Sequence, residues 1–125
     1  IDMKIRISGN SIRLRLTQSE VSLFVIQGSV CAACQIGNQT LTYEITQDEA
    51  ANQVKASMSG QTITVHVPKE IAQFWDVDTR VGFDAKDENG LYVLVEKDFQ
   101  CLKPRPHEDE SDNFPNPQAT IDTYD

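Results

Sequence analysis

The stretch Ile5–Leu16, IRISGNSIRLRL, has an echo at Ala56–Val67, ASMSGQTITVHV. Each consists of a short alternating run, a tight Ser-Gly-polar-polar turn and a second alternating run. Period-two alternation puts every second side chain on one face, so each stretch predicts a β-hairpin with one apolar face. A helix-start signal follows both: Thr17-Gln18-Ser19-Glu20 in the first copy and Pro68-Lys69-Glu70-Ile71 in the second. Aligning Ile12 with Ile63 also pairs Leu14 with Val65, Leu16 with Val67, Phe24 with Trp75 and Val30 with Val81. That shared register predicts an internal duplication.

In the first copy, Ile5 and Ile7, then Ile12, Leu14 and Leu16, face inward, while Lys4, Arg6, Arg13 and Arg15 face outward. Thr17 and Glu20 form a capping box, opening a helix that carries Val21, Phe24 and Val25 on one face and stops at Gly28. Val30–Ile36 is expected as a strand, Gly37-Asn38 as a turn, and Leu41, Tyr43 and Ile45 as alternate positions of another strand. Thr46 to Gln53 is a polar connection and the only candidate boundary. The second copy repeats the plan. Its hairpin turns at Ser59-Gly60-Gln61, Pro68 suits a first helical position, and Ile71, Ala72 and Trp75 share an apolar face. Arg80–Lys86 is expected as a strand, Asn89-Gly90 as a type I′ turn, and Leu91–Glu96 as the partner strand.

Each copy is thus ββαββ in about 45 residues, too short to bury a self-sufficient core. The expected fold is β-rich α+β: two such units interlocked as a pseudo-dimeric, antiparallel barrel with an irregular C-terminal tail. The barrel domain spans 1–100, with repeats at about 3–46 and 54–98, and the acidic tail spans 101–125.

The 125-residue chain is 39% hydrophobic and 24% charged, with a formal net charge of −8. No apolar run approaches the roughly 18 residues of a membrane span. No secretory signal pattern opens the chain, and three cysteines, an odd number, argue against a disulfide framework. A cytoplasmic protein without membrane partners is therefore expected. Charge is segregated: Lys4, Arg6, Arg13 and Arg15 occupy a window without acids, whereas the tail carries Glu108, Asp109, Glu110, Asp112, Asp122 and Asp125 against Lys103 and Arg105.

GNSIRLRLTQSEV resembles the signature of AbrB/MazE-type swapped-hairpin barrels, and SGQTITVHVPKEIAQFWDVDTRVGFDAKDENGLYVLVEK is similar to the rest of that pattern. The resemblance covers about residues 3–98. Members of that family usually carry one copy and dimerise, so two tandem copies imply an intramolecular pseudo-dimer, with a monomer plausible. The first copy departs from the pattern: Thr17 replaces the usual Pro, and CAACQIG replaces an acidic turn. The resemblance implies DNA binding through the basic hairpin, or an acidic extension that occupies a basic groove on a protein partner.

Candidate sites follow. Lys4, Arg6, Arg13 and Arg15 could contact phosphates, and four contacts would give a salt slope of roughly −3.6. The commoner role of such cations is solvation, paired with acids such as Glu44 or the tail. Glu108, Asp109, Glu110 and Asp112, with Phe114 as an anchor, could bind a basic partner or the chain's own hairpin; a solubilising tail is the plainer reading. Cys31-Ala-Ala-Cys34 with Cys101 and His107 is a conceivable zinc set, although i and i+3 on a strand face opposite ways. Glu96, Asp98 and the tail acids could hold a hard cation if they converge. No cofactor motif is legible, and no nucleophile has an assignable base. The leading expectation is a non-catalytic regulatory protein of AbrB/MazE-like type whose tail binds a basic partner or its own hairpin. DNA binding comes second and a zinc protein third.

Overall fold

A computed structural model describes residues 3–102 and 107–117. The order strand-strand-helix-strand-strand occurs twice. The first half comprises β1 (Lys4–Ser8), β2 (Ser11–Leu16), α1 (Gln18–Gln27), β3 (Ser29–Ile36) and β4 (Gln39–Asp48). The second comprises β5 (Lys55–Ser59), β6 (Thr62–Pro68), α2 (Lys69–Ala72), β7 (Gly82–Lys86) and β8 (Tyr92–Lys97). The chain is therefore β-rich α+β.

Both hairpins form, with Gly9 and Gly60 at φ of 54° and 56° in the turns, but Ile7, expected inward, is exposed near the turn end of the edge strand β1. Each sheet then joins one hairpin from each half. The first has strand order β1-β2-β8-β7 and the second β3-β4-β6-β5. At both junctions the central strands run parallel: Leu14 lies beside Val95, and Ile45 beside Val65. This corrects the expected all-antiparallel pairing. Alternation fixes the faces of a strand and a tight turn fixes its hairpin partner, but neither states which way a strand from the other hairpin runs. The described residues make two open sheets, not a closed barrel, and β1, β7, β3 and β5 remain as edges.

The core lies on the inner faces of the two sheets and under α1. Leu14, Leu16, Phe24, Ile45, Val65, Val67, Trp75, Val93 and Val95 are all buried. Phe24 and Trp75, aligned in the sequence, meet edge to face with ring centroids 6.3 Å apart. Val30 and Val81 part company: Val30 is buried, whereas Val81 is exposed. The second helix explains the difference, because it ends after four residues. Arg80 then folds back, its guanidinium donating to the carbonyls of Ile71 at 2.6 Å and Gln73 at 2.8 Å and to Asp78 at 2.7 Å. Carbonyls that a longer helix would use are satisfied by one side chain.

α1 keeps its expected ends. Thr17 N–H donates to Glu20 Oε1 at 2.9 Å, and Gly28, at φ 94°, closes the helix through its N–H to Phe24 O. The β7–β8 connection differs from the two-residue turn expected at Asn89-Gly90. Lys86 pairs with Tyr92, so five residues intervene. Asp87 Oδ1 accepts from the N–H groups of Asn89 and Leu91, and Asn89 does not take the positive φ that a type I′ turn requires. A local side-chain acceptor outcompetes the tight turn.

β7 needs glycine at its first position. A Cβ on Gly82 would meet Val95 O and stand 2.8 Å from Glu96 Cα, both backbone atoms of the neighbouring strand. Gly82→Ala is expected to destabilise the fold by about 2 kcal/mol or more, measured by urea denaturation against the unaltered protein.

Candidate functional site

The outer face of the first sheet carries the basic cluster. Lys4 and Arg6 alternate along β1, Arg13 and Arg15 along β2, and antiparallel pairing sets Lys4 opposite Arg15 and Arg6 opposite Arg13. Like charges directly opposite across a ladder repel. The next strand and the chain that follows it supply the answer for three of the four. Glu96 of β8 pairs with Arg15, and its Oε1 accepts from Arg13 Nε at 2.6 Å and Arg15 Nε at 2.8 Å. Lys4 Nζ lies 3.1 Å from Asp98 Oδ2 and 3.7 Å from Glu108 Oε2. Arg6 has no ion pair among the described residues, so it is the uncompensated cation of the face.

Two adjoining hollows share Arg6 and Arg13. One, of about 200 Å³, is lined also by Ser8, Ser11, Ile12, Tyr92 and Leu94. The other, of about 330 Å³, is lined by Lys4, Ile5, Arg15 and Glu108 as well. Arg13 and Arg15 reach Glu96 through Nε, which leaves the outer nitrogens of each planar fork available to a second acceptor. Tyr92 donates its hydroxyl to Asp84 at 2.6 Å, and the bond to that carboxylate raises the phenol pKa. The face can hold a small oxyanion or a phosphate between Arg6 and Arg13, with serine hydroxyls at its margin.

The C-terminal segment is part of the fold. Phe114 packs against the core and sits beside Phe99, ring centroids 5.9 Å apart, while Phe114 N–H donates to Asp98 O. Asp112 lies at the start of α1: its carbonyl accepts from Gln18 N–H at 2.9 Å, and its carboxylate lies 3.3 Å from Ser19 N. A carboxylate there meets the orphan amides and the positive end of the helix. Glu110 accepts from Cys101 N–H, Asp109 accepts from Ser111 N–H, and Glu108 turns toward Lys4. The five residues expected to seize a partner are thus engaged within their own chain. Lys103, Arg105, Asp122 and Asp125 lie outside the described residues.

The other candidates disperse. Cys31 and Cys34 are both exposed on β3, opposite Glu44 and Leu41 respectively, and their spacing of three puts them on opposite faces. Cys101 lies beside Glu110, and His107 is exposed. Among the described residues no group of three or more His, Cys, Asp or Glu could hold a metal ion. The proposed zinc set is not assembled, because a strand cannot bend two ligands three apart onto one ion. Glu96 and Asp98 do not form a hard-cation site, since arginines and Lys4 occupy them. Glu44, offered as a counter-ion for the arginines, sits in the other sheet. The signal for Glu96 was present in its outward position on an alternating strand, but only the parallel junction names its partners.

A family profile matches residues 3–118, nearly the whole described chain. The chain belongs to DUF7009, a family of unknown function. Searches of curated proteins and of solved structures gave no match. The matched span of this DUF7009 chain runs past β8 through the docked C-terminal segment, consistent with that segment being part of the unit. No helix among the described residues is long and apolar enough to cross a membrane.

Lys4 shows the electrostatics of the face. Burial works against its charge, but the hydrogen bond and charge of Asp98, with the charge of Glu108, outweigh it and hold the ammonium above the ordinary lysine range. A raised lysine pKa contributes stability below the unfolded value, near 10.4, and that contribution is lost as pH rises through the folded value. In Asp98→Asn the ammonium should titrate at lower pH than in the unaltered chain, read by NMR of the Lys4 side chain. An unchanged titration would exclude Asp98 as its partner.

Proposed function

We propose that this DUF7009 chain is a regulatory binding protein of AbrB/MazE-like, duplicated swapped-hairpin type whose working surface is the arginine face of the first sheet. Its ligand is the phosphate backbone of nucleic acid. Its own acidic C-terminal segment acts on that face through Glu108. The sharing of each sheet between the two halves supports the swapped-hairpin reading, since neither half can complete a sheet alone.

One observation carries the ligand reading. Arg6 stands opposite Arg13 on the ladder, lines both hollows and has no ion pair among the described residues. An arginine facing another arginine across a strand pair is relieved by an anion that bridges them, and phosphate matches the guanidinium fork. Glu108 lines the larger of these hollows and repels such a ligand while it attracts Lys4. The arrangement favours the tail acting on its own hairpin over the tail seeking a foreign groove, because Phe114 and Asp112 are already committed to core and helix. Of the four corresponding positions of the second sheet only Lys55 keeps a lysine or arginine, the others being Ser57, Thr64 and His66, so nucleic acid would meet chiefly the first face.

Fluorescence anisotropy of a labelled mixed-sequence duplex tests this with the full chain. Four phosphate contacts predict roughly a hundredfold loss of affinity from 50 to 200 mM salt. Arg6→Ala should weaken binding and reduce the salt slope by about 0.9, whereas Glu108→Gln should tighten it severalfold. Failure of both the unaltered chain and Glu108→Gln to bind at 50 mM salt would overturn the nucleic-acid reading.

A further inference from the structure

On the outer face of the second sheet, side chains from three neighbouring strands form a line. His66 of β6 places Nδ1 3.1 Å from Asp48 Oδ2 and Nε2 2.8 Å from Ser57 Oγ. Asp48 belongs to β4 and Ser57 to β5, so the imidazole is held from both sides. Asp48 is itself fixed, its Oδ1 accepting from Ala50 N–H at 2.9 Å. A carboxylate can only accept, so its bond to Nδ1 keeps the ring proton there. Nε2 is then the acceptor, and the Ser57 hydroxyl donates to it. Ser57 is exposed and therefore reachable by solutes.

The strand edge adds a donor. β5 ends its sheet, and the two-residue turn Gly60-Gln61 makes Ser59 and Thr62 the closing pair. Thr42 N–H donates to Gln61 O, which fixes the side of β6 that faces β4. Hydrogen-bonded and open positions alternate along an antiparallel pair, so the N–H of Met58, the residue after Ser57, points out of the free edge. A backbone N–H next to a nucleophile can receive negative charge developing on a carbonyl oxygen.

The first sheet shows that this line does not follow from the strand pattern alone. By the Ile12–Ile63 alignment, Ser57 and His66 correspond to Arg6 and Arg15. Asp48 and Asp98 each lie two residues beyond the parallel-ladder partners of His66 and Arg15, namely Thr46 and Glu96. The same three positions hold Arg6, Arg15 and Asp98 in one sheet, where Arg15 and Asp98 pair with other partners, and a serine-histidine-aspartate line in the other.

We propose that Ser57 is an activated nucleophile, with His66 its general base and Asp48 the positioning residue, acting on small activated esters. Ser57 Oγ attacks the carbonyl carbon while its proton passes to His66 Nε2, and the π pair moves to the carbonyl oxygen beside Met58 N–H. Collapse breaks the bond to the leaving oxygen, which takes the proton from His66. Water, losing a proton to His66, then attacks the acyl carbon, and cleavage of the bond to Ser57 Oγ releases the carboxylic acid and restores the hydroxyl. The open sheet face suits small esters better than bulky ones.

The test treats the full chain with an alkyl fluorophosphonate, which a nucleophilic serine attacks at phosphorus with loss of fluoride, and maps the adduct by peptide mass spectrometry. The expected adduct is on Ser57. Asp48→Asn should slow its formation at least tenfold, and His66→Ala should abolish it, with matching thermal melts showing intact folds. Free imidazole should restore labelling of His66→Ala, a rescue that a purely structural histidine would not give. No Ser57 adduct in the unaltered chain, or equal labelling rates with and without His66, would overturn the proposal.

Discussion

The parallel contact between β2 and β8 is the constraint on which the first sheet depends. It joins residues about eighty positions apart, and it decides both faces at once. Inward, Leu14, Leu16, Val93 and Val95 are buried together. Outward, the same register sets Glu96 beside Arg13 and Arg15. Because side chains alternate with period two, a slip of one residue would bury the arginines and expose the leucines. The apolar core therefore fixes the electrostatics of the opposite face, without any need for the ion pairs to be strong. Glu96 is largely covered by the two side chains it bridges, yet such partly exposed pairs contribute little by themselves.

The C-terminal segment completes the same region. Its composition, acidic and proline-containing with few apolar residues, is that of a chain unable to form a core alone. It does not have to. Phe114 uses the core already built by the sheets, Asp112 meets α1 where amides lack intrahelical partners, and backbone bonds link Phe114 to Asp98 and Gln100. Asp98 then ties this segment to Lys4 of β1. Through that path the acidic end of the molecule bears on its basic hairpin. It reaches Lys4 at the margin and leaves Arg6 at the centre uncompensated.

The two sheets place similar backbones under different chemistry. The first puts four cations and their acids on its outer face; the second puts Ser57, His66 and Asp48 there. Strand pairing supplies the spacing in both cases. Only the residue types differ, so a basic, ion-paired face and a hydrogen-bonded serine line can occupy equivalent positions without disturbing the core between them.

Much of this was legible in the chain. Local periodicity located the hairpins and most inward residues, though not Ile7, the Thr17–Glu20 pair and Gly28 marked the ends of α1, and the repeat register aligned Phe24 with the tryptophan it touches. These signals are local because alternation, capping and glycine conformations depend on neighbours within a few residues. What lay beyond them was how segments distant in sequence pair and dock. The parallel sense of the junctions, the open sheets, Glu96 as counter-ion, the docking of Asp112 and Phe114, and the meeting of Ser57 with His66 and Asp48 all required tertiary structure. A residue's own pattern states which face it occupies; only the packed chain decides which residues share that face.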